Sequence, residues 1–142
     1  MRRFIYGTFG TLFVLVAVAC GVFLFVLLRA PAFEQGESYT FYMGKNSSSL
    51  VIFSDCPALE KLILGDVKGE SVQYSGNQFY ELKTKFRAKL LFTEESCGVT
   101  NYYLYSPVLG GGVLINGQPV NLHIAVSAEK TVAGTPLIFG GF

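Results

Sequence analysis

Twenty-five consecutive residues without a charge, Phe4 to Leu28, run between Arg2-Arg3 on one side and Arg29 on the other. A helix needs roughly 20 apolar residues, at about 1.5 Å rise each, to cross a bilayer. The run is long enough, and it constrains everything after it to be a domain tethered to a membrane or carried across one. A cleavable signal peptide has an apolar core of only about 7–15 residues. Residues 1–29 therefore read as an uncleaved signal anchor that engages the membrane through residues 4–28.

Two alternatives stay open. Ala30-Pro31-Ala32 offers the small residues that a signal peptidase reads, which would give a secreted protein cut near Ala32, although Arg29 and Pro31 make the site imperfect. Cys20, preceded by Ala17-Val18-Ala19, has the look of a lipoprotein site, yet the apolar run continues past it to Leu28. Cys20 reads better as a small apolar residue on the helix. Arg2 and Arg3 before the span, against Arg29 and then Glu34 and Glu37 after it, place the N-terminus inside by the positive-inside rule. The expectation is a single-pass protein of the cell membrane with its C-terminal domain outside.

Residues 30–38, with Pro31 and Gly36, read as a short spacer, and residues 39–142 as one compact extracytoplasmic domain. From Phe33 onward eight Lys/Arg stand against ten Asp/Glu. That balance gives no general attraction for nucleic acid or anionic lipid. Cys56 and Cys97 fall in the domain, where an exported location permits a disulfide. Closing a loop of about 42 residues would stabilise the fold by roughly 4 kcal/mol on the chain-entropy model. Two free buried thiols are the other reading.

Turn residues and hydrophobic periods divide the domain. Tyr39–Met43 and Leu50–Phe53 read as a hairpin around Gly44–Ser48, whose Asn46-Ser47-Ser48 sequon is turn chemistry outside a eukaryotic secretory pathway. Ser54 or Asp55 can cap a short helix begun by Pro57, with an apolar stripe of Leu59, Leu62 and Ile63 and a stop at Gly65. A strand around Ser71–Tyr74 precedes a second helix, capped by Asn77, with Phe79, Leu82 and Phe86 on one face. Lys89–Phe92, Asn101–Tyr105, Gly112–Ile115, Val120–Ala128 and Thr131–Phe139 are strand candidates. In Val120–Ala128, Leu122, Ile124 and Val126 alternate with Asn121, His123 and Ser127, which predicts one buried and one wet face. Asn116-Gly117 signals a hairpin, which Pro119 is expected to lengthen or bulge. The fold class is α+β: an N-terminal transmembrane helix, then a mostly antiparallel sheet with two short helices packed on one face.

Several stretches of the domain resemble the small secreted YwmB-like proteins of Firmicutes: Gly69-Glu70-Ser71-Val72, Leu90–Glu95, Asn101-Tyr102-Tyr103, Ile115–Val126 and Thr135–Phe142. The likeness covers residues 39–142 at most and is firmest over 88–142. It implies an exported domain of spore-forming bacteria, with a fold likened to the TATA-box-binding protein and no established biochemical activity. The fold likeness does not imply DNA binding, because a saddle that grips DNA needs basic residues to neutralise phosphates.

No convergent catalytic set is visible. His123 stands without Cys, Asp or Glu at metal-ligand spacing. Gly110-Gly111-Gly112 lacks the Lys-Ser/Thr and the helix of a phosphate cradle and reads as a loop. Glu94 and Glu95, as neighbours on a strand, point to opposite faces, and Lys83, Lys85, Arg87 and Lys89 read as the solvated side of a helix. Tyrosines suit interfaces in which a ring is buried and its hydroxyl stays wet. Tyr103, Tyr105, Asn121 and His123 are therefore the candidate interaction surface. The expected function is a non-enzymatic, membrane-anchored envelope protein, without cofactor, whose domain binds another envelope protein, with a link to sporulation resting on the resemblance alone. The alternative is a cell-wall ligand-binding or hydrolytic domain using His123.

Overall fold

The computed structural model describes residues 2–44, 51–64 and 67–138. The chain divides into two units, Met1–Ala30 and Pro31–Phe142. The first is a helix, α1 (Arg2–Leu28), in which Gly10–Leu28 is long and apolar enough to cross a membrane and buries none of its side chains. The guanidinium of Arg29 lies 4.8 Å from the centre of the Phe25 ring at its end.

The second unit is α+β. In chain order it contains β1 (Ser38–Tyr42), β2 (Val51–Ser54), α2 (Pro57–Ile63), β3 (Gly69–Ser75), α3 (Phe79–Lys85), β4 (Lys89–Ser96), β5 (Val99–Tyr105), β6 (Val113–Ile115), β7 (Gln118–Val120), β8 (Leu122–Val126) and β9 (Lys130–Thr135). Seven strands form one sheet in the order β2-β1-β3-β9-β8-β5-β4, every neighbouring pair antiparallel. β6 and β7 form a separate ribbon.

One face of the sheet carries the main core. Alternation along each strand sends Tyr39, Val72, Ala133, Leu122, Ile124 and Leu104 to the same side. α3 covers them with Phe79, Leu82 and, just past its end, Phe86. The apolar residues recur at helical spacing, but Gln78 rather than Asn77 occupies the N-cap position; Asn77, one residue earlier, accepts the Phe79 N–H on its Oδ1 at 3.0 Å. The Phe79 ring stacks on Tyr102 at 3.9 Å. α2 lies on the same side, where Lys61 reaches Glu70 of β3 at 2.7 Å. Cys56, rather than Ser54 or Asp55, occupies its N-cap position, with Pro57 in the first turn. Its apolar stripe is not buried, since Leu59 and Ile63 are exposed. The predicted stop at Gly65 and the Asn46 sequon lie outside the described residues.

The expected spacer belongs to the fold. Phe33 is 1% exposed and packs edge-to-face on Phe86 at 5.4 Å. Around it the Ala32 N–H is bonded to Glu70 Oε1, Tyr74 donates to the Glu34 carbonyl at 3.1 Å, and the Glu37 N–H reaches the Gln73 carbonyl at 2.8 Å. Gly36 lies so close to β3 that an added Cβ would meet Val72 Cγ2 at 1.9 Å. A lone aromatic between Pro31 and Gly36 carries no period, which is why a spacer is the natural reading of the sequence.

Three strand expectations also change. The run Val120–Ala128 is broken at Asn121: β7 pairs with β6, and β8 enters the main sheet. The Asn116-Gly117 turn is a two-residue one, with Ile115 opposite Gln118 and both turn residues at positive φ. Pro119 is tolerated because it sits in a two-stranded ribbon with an open side. β8 is buried on both faces, with Leu122, His123, Ile124 and Ala125 all inside, so the wet face expected from its alternation is absent.

Gly36→Ala is expected to destabilise the domain by about 1–3 kcal/mol, the usual effect of overpacking. Urea unfolding of the full chain, followed by tyrosine signals, measures it.

Candidate functional site

Among the described residues, no helix covers the second face of the sheet. β4, β5 and β8 place Phe92, Tyr103 and His123 side by side in register. Their rings form a ladder, Phe92 to Tyr103 at 4.5 Å and Tyr103 to His123 at 4.5 Å, both nearly parallel. The next position across is Gly134 of β9. Here the chain returns after Pro136, with Ile138 Cγ1 and the Leu137 carbonyl each 2.8 Å from where a Cβ would stand. The C-terminal segment thus takes the place of a side chain at the end of the ladder.

His123 is held from both ring nitrogens. Nε2 donates to Asn101 Oδ1 at 3.0 Å, and Nδ1 accepts the Ile138 N–H at 3.4 Å. This pattern fixes the Nε2-protonated tautomer. Burial pushes the imidazole down to about 4, so it is neutral at pH 7. Both nitrogens are used inside the fold, which leaves neither to act as a base on a ligand.

Asn121 is likewise internal. Its Oδ1 accepts the Ser106 N–H at 2.7 Å, while Nδ2 donates to the carbonyls of Ser106 and Leu109 at 2.8 and 2.9 Å. Ser106 Oγ in turn donates to the Phe86 carbonyl at 2.7 Å. These bonds hold the start of the loop that continues into Gly110–Gly112. Of the four residues expected at an interaction surface, Asn121 and His123 are buried, whereas Tyr103 is half-buried and Tyr105 exposed. Tyr103 donates to Glu94 at 3.1 Å, and burial first, then this bond, raise its phenol above the ordinary range.

Cys56 and Cys97 are both free and exposed. Cys56 follows β2 and Cys97 lies in the turn after β4, the two opposite edges of the sheet. Six strand spacings of about 4.8 Å separate those edges by roughly 29 Å, whereas a disulfide needs Cα atoms within about 7 Å. The bridge that an exported location permits is therefore not formed, and the thiols, being exposed, are not the buried pair of the other reading. Among the described residues no three His, Cys, Asp or Glu come together to hold a metal ion.

Two features escape sequence reasoning. The first is a cavity of about 590 Å³ at the end of the sheet where β1 finishes and β3 begins. Its lining includes the Lys61–Glu70 ion pair and the Gly110–Gly112 loop that follows the segment Asn121 holds. The second is the contrast between the sheet edges. β4 is guarded by Lys89, Glu94 and Glu95 and by a bulge between Leu90 and Phe92, whereas β2 is uncharged and exposes Val51 and Phe53.

The histidine makes stability depend on pH. The unfolded imidazole titrates near 6.5 and the folded one near 4, so the unfolded chain binds the extra proton between these values. Stability is full above about pH 6.5 and falls as pH drops to 4, by about 3 kcal/mol from this group. Urea midpoints across that range should show the decline in the parent, with a shallower slope in His123→Gln. Cys56 and Cys97 should each take up maleimide without prior reduction; peptide mass spectra showing 56 joined to 97 would contradict the structure.

In comparisons with known proteins, the chain matches no family model, no curated protein and no solved structure.

Proposed function

We propose that this protein is a non-enzymatic, single-pass envelope protein whose domain stands outside the cell membrane and takes an extended segment of another envelope protein onto the edge of β2. The observation that carries the reading is that edge. Val51-Ile52-Phe53-Ser54 has no charge, no proline and no neighbouring strand on its outer side among the described residues. Phe53 is 77% exposed on it. Main-chain pairing gives strand addition its affinity, and alternate side chains give it specificity.

The apolar helix supports the membrane anchor. The arginine pattern and the likeness of residues 88–142 to exported YwmB-like proteins support the outside placement. Internal use of both His123 nitrogens favours binding over hydrolysis.

A photo-crosslinking side chain in place of Phe53, in cells carrying the full chain, should trap a defined envelope protein. The same group in place of Tyr80, equally exposed on α3, should not. Val51→Lys should weaken the interaction about tenfold, roughly 1.4 kcal/mol. Equal trapping at both positions, or none at 53, would overturn the reading. Protease added to intact cells should digest the domain, and full protection would place it inside.

A further inference from the structure

The short helix α2 carries a further inference, which rests on the membrane anchor of the proposed function and not on the β2 edge. None of its seven residues is buried. Leu59 and Ile63 are 59% and 72% exposed, and at i, i+4 they are neighbours on the helix surface. Each lies two positions from Lys61, so at 3.6 residues per turn both point away from it. Lys61 itself is turned to the sheet, where it meets Glu70 at 2.7 Å. The helix is thus held to the domain by an ion pair and turns aliphatic side chains outward, the reverse of the usual surface helix.

The place where the chain enters the domain says what meets that outer face. Ala32 stands four residues beyond Leu28, so even a fully extended chain puts it no more than about 14 Å past the end of the apolar run. The headgroup layer on one side of a bilayer is itself roughly 5–7 Å thick. The Ala32 N–H is bonded to Glu70, and Glu70 is paired with Lys61, so α2 lies two contacts from the entry point. With the apolar helix across a membrane, this end of the domain is held at the membrane surface. Exposed aliphatic side chains placed there have hydrocarbon within reach. The excess of acidic over basic residues from Phe33 onward gives no general pull toward anionic lipid, which leaves apolar burial as the driving force. We infer that α2 is a lipid-contact element, and that Leu59 and Ile63 insert into the boundary between headgroups and acyl chains of the adjacent leaflet.

The chain has no tryptophan, so a single introduced indole reports the contact. The full chain is placed in nanodiscs of phosphatidylcholine and in nanodiscs of brominated phosphatidylcholine, whose acyl bromines quench an indole that touches them. Ile63→Trp should emit at shorter wavelength than Tyr80→Trp and lose at least about half of its intensity in the brominated lipid. Tyr80→Trp should be quenched little, since Tyr80 is exposed on α3, which begins beyond the opposite end of β3 from Glu70. Adding Leu59→Glu to the Ile63→Trp chain should cut the quenching at least about twofold. Phe13→Trp in α1 separates this inference from the anchor beneath it. Quenching at 13 without quenching at 63 would overturn the inference and leave the anchor standing, whereas no quenching at either would overturn both. A short-wavelength indole at 63 that brominated lipid does not quench would mean that a protein surface covers α2, and would overturn the inference too.

Discussion

A seven-stranded sheet has two faces to shield from water, and the described residues offer two short helices with which to do it, both on the same face. The second face depends on a different solution. Rings from β4, β5 and β8 lie flat against one another, and the chain itself crosses Gly134 to close the row. Stacked rings bury one another's faces without a second layer of secondary structure. The cost falls on His123, whose imidazole must stay neutral to remain there. The central strands are thus buried on both sides in a sheet that is wholly antiparallel, a kind that often leaves one face wet.

How far the sequence reveals this varies with the range of the interaction involved. α3 is legible because Phe79, Leu82 and Phe86 state a helical period within eight residues, although its N-cap falls on Gln78, one residue after Asn77. The Asn116-Gly117 turn is legible because positive φ at two successive positions selects those residues. The second face of β8 is not, because Asn121 and His123 carry the same polar label whether they meet water or fixed partners. Their partners, Ser106, Leu109, Asn101 and Ile138, come from distant parts of the chain. α2 shows the reverse limit: Leu59, Leu62 and Ile63 define an apolar stripe, but a stripe does not say that anything covers it. The β2 edge depends on strand order, which no local pattern encodes.

Asn121 joins these themes. It sits where one apparent strand becomes two: its own N–H still reaches the Leu104 carbonyl, and its three side-chain hydrogen bonds satisfy main-chain groups of Ser106 and Leu109 in the segment after β5. The same bonds position the glycine loop at the cavity. A residue whose sequence context suggested surface contact is therefore an internal joint between the β6–β7 ribbon, the main sheet and the cavity lining. Polar side chains with several fixed partners specify one arrangement where apolar packing alone would tolerate many.

The absence of slack after the apolar helix has a mechanical meaning. Only Arg29 and Ala30 separate Leu28 from Pro31, and within two further residues the chain is bonded to Glu70 and packed on Phe86. A flexible linker would absorb a tug on the helix by straightening. Here there is almost no length to straighten, so tension applied at residue 30 loads the β3 hydrogen bond and the centre of the core directly. Any process that pulls on the apolar helix, or on whatever holds the domain, would be felt first by the Phe33 and Glu70 contacts.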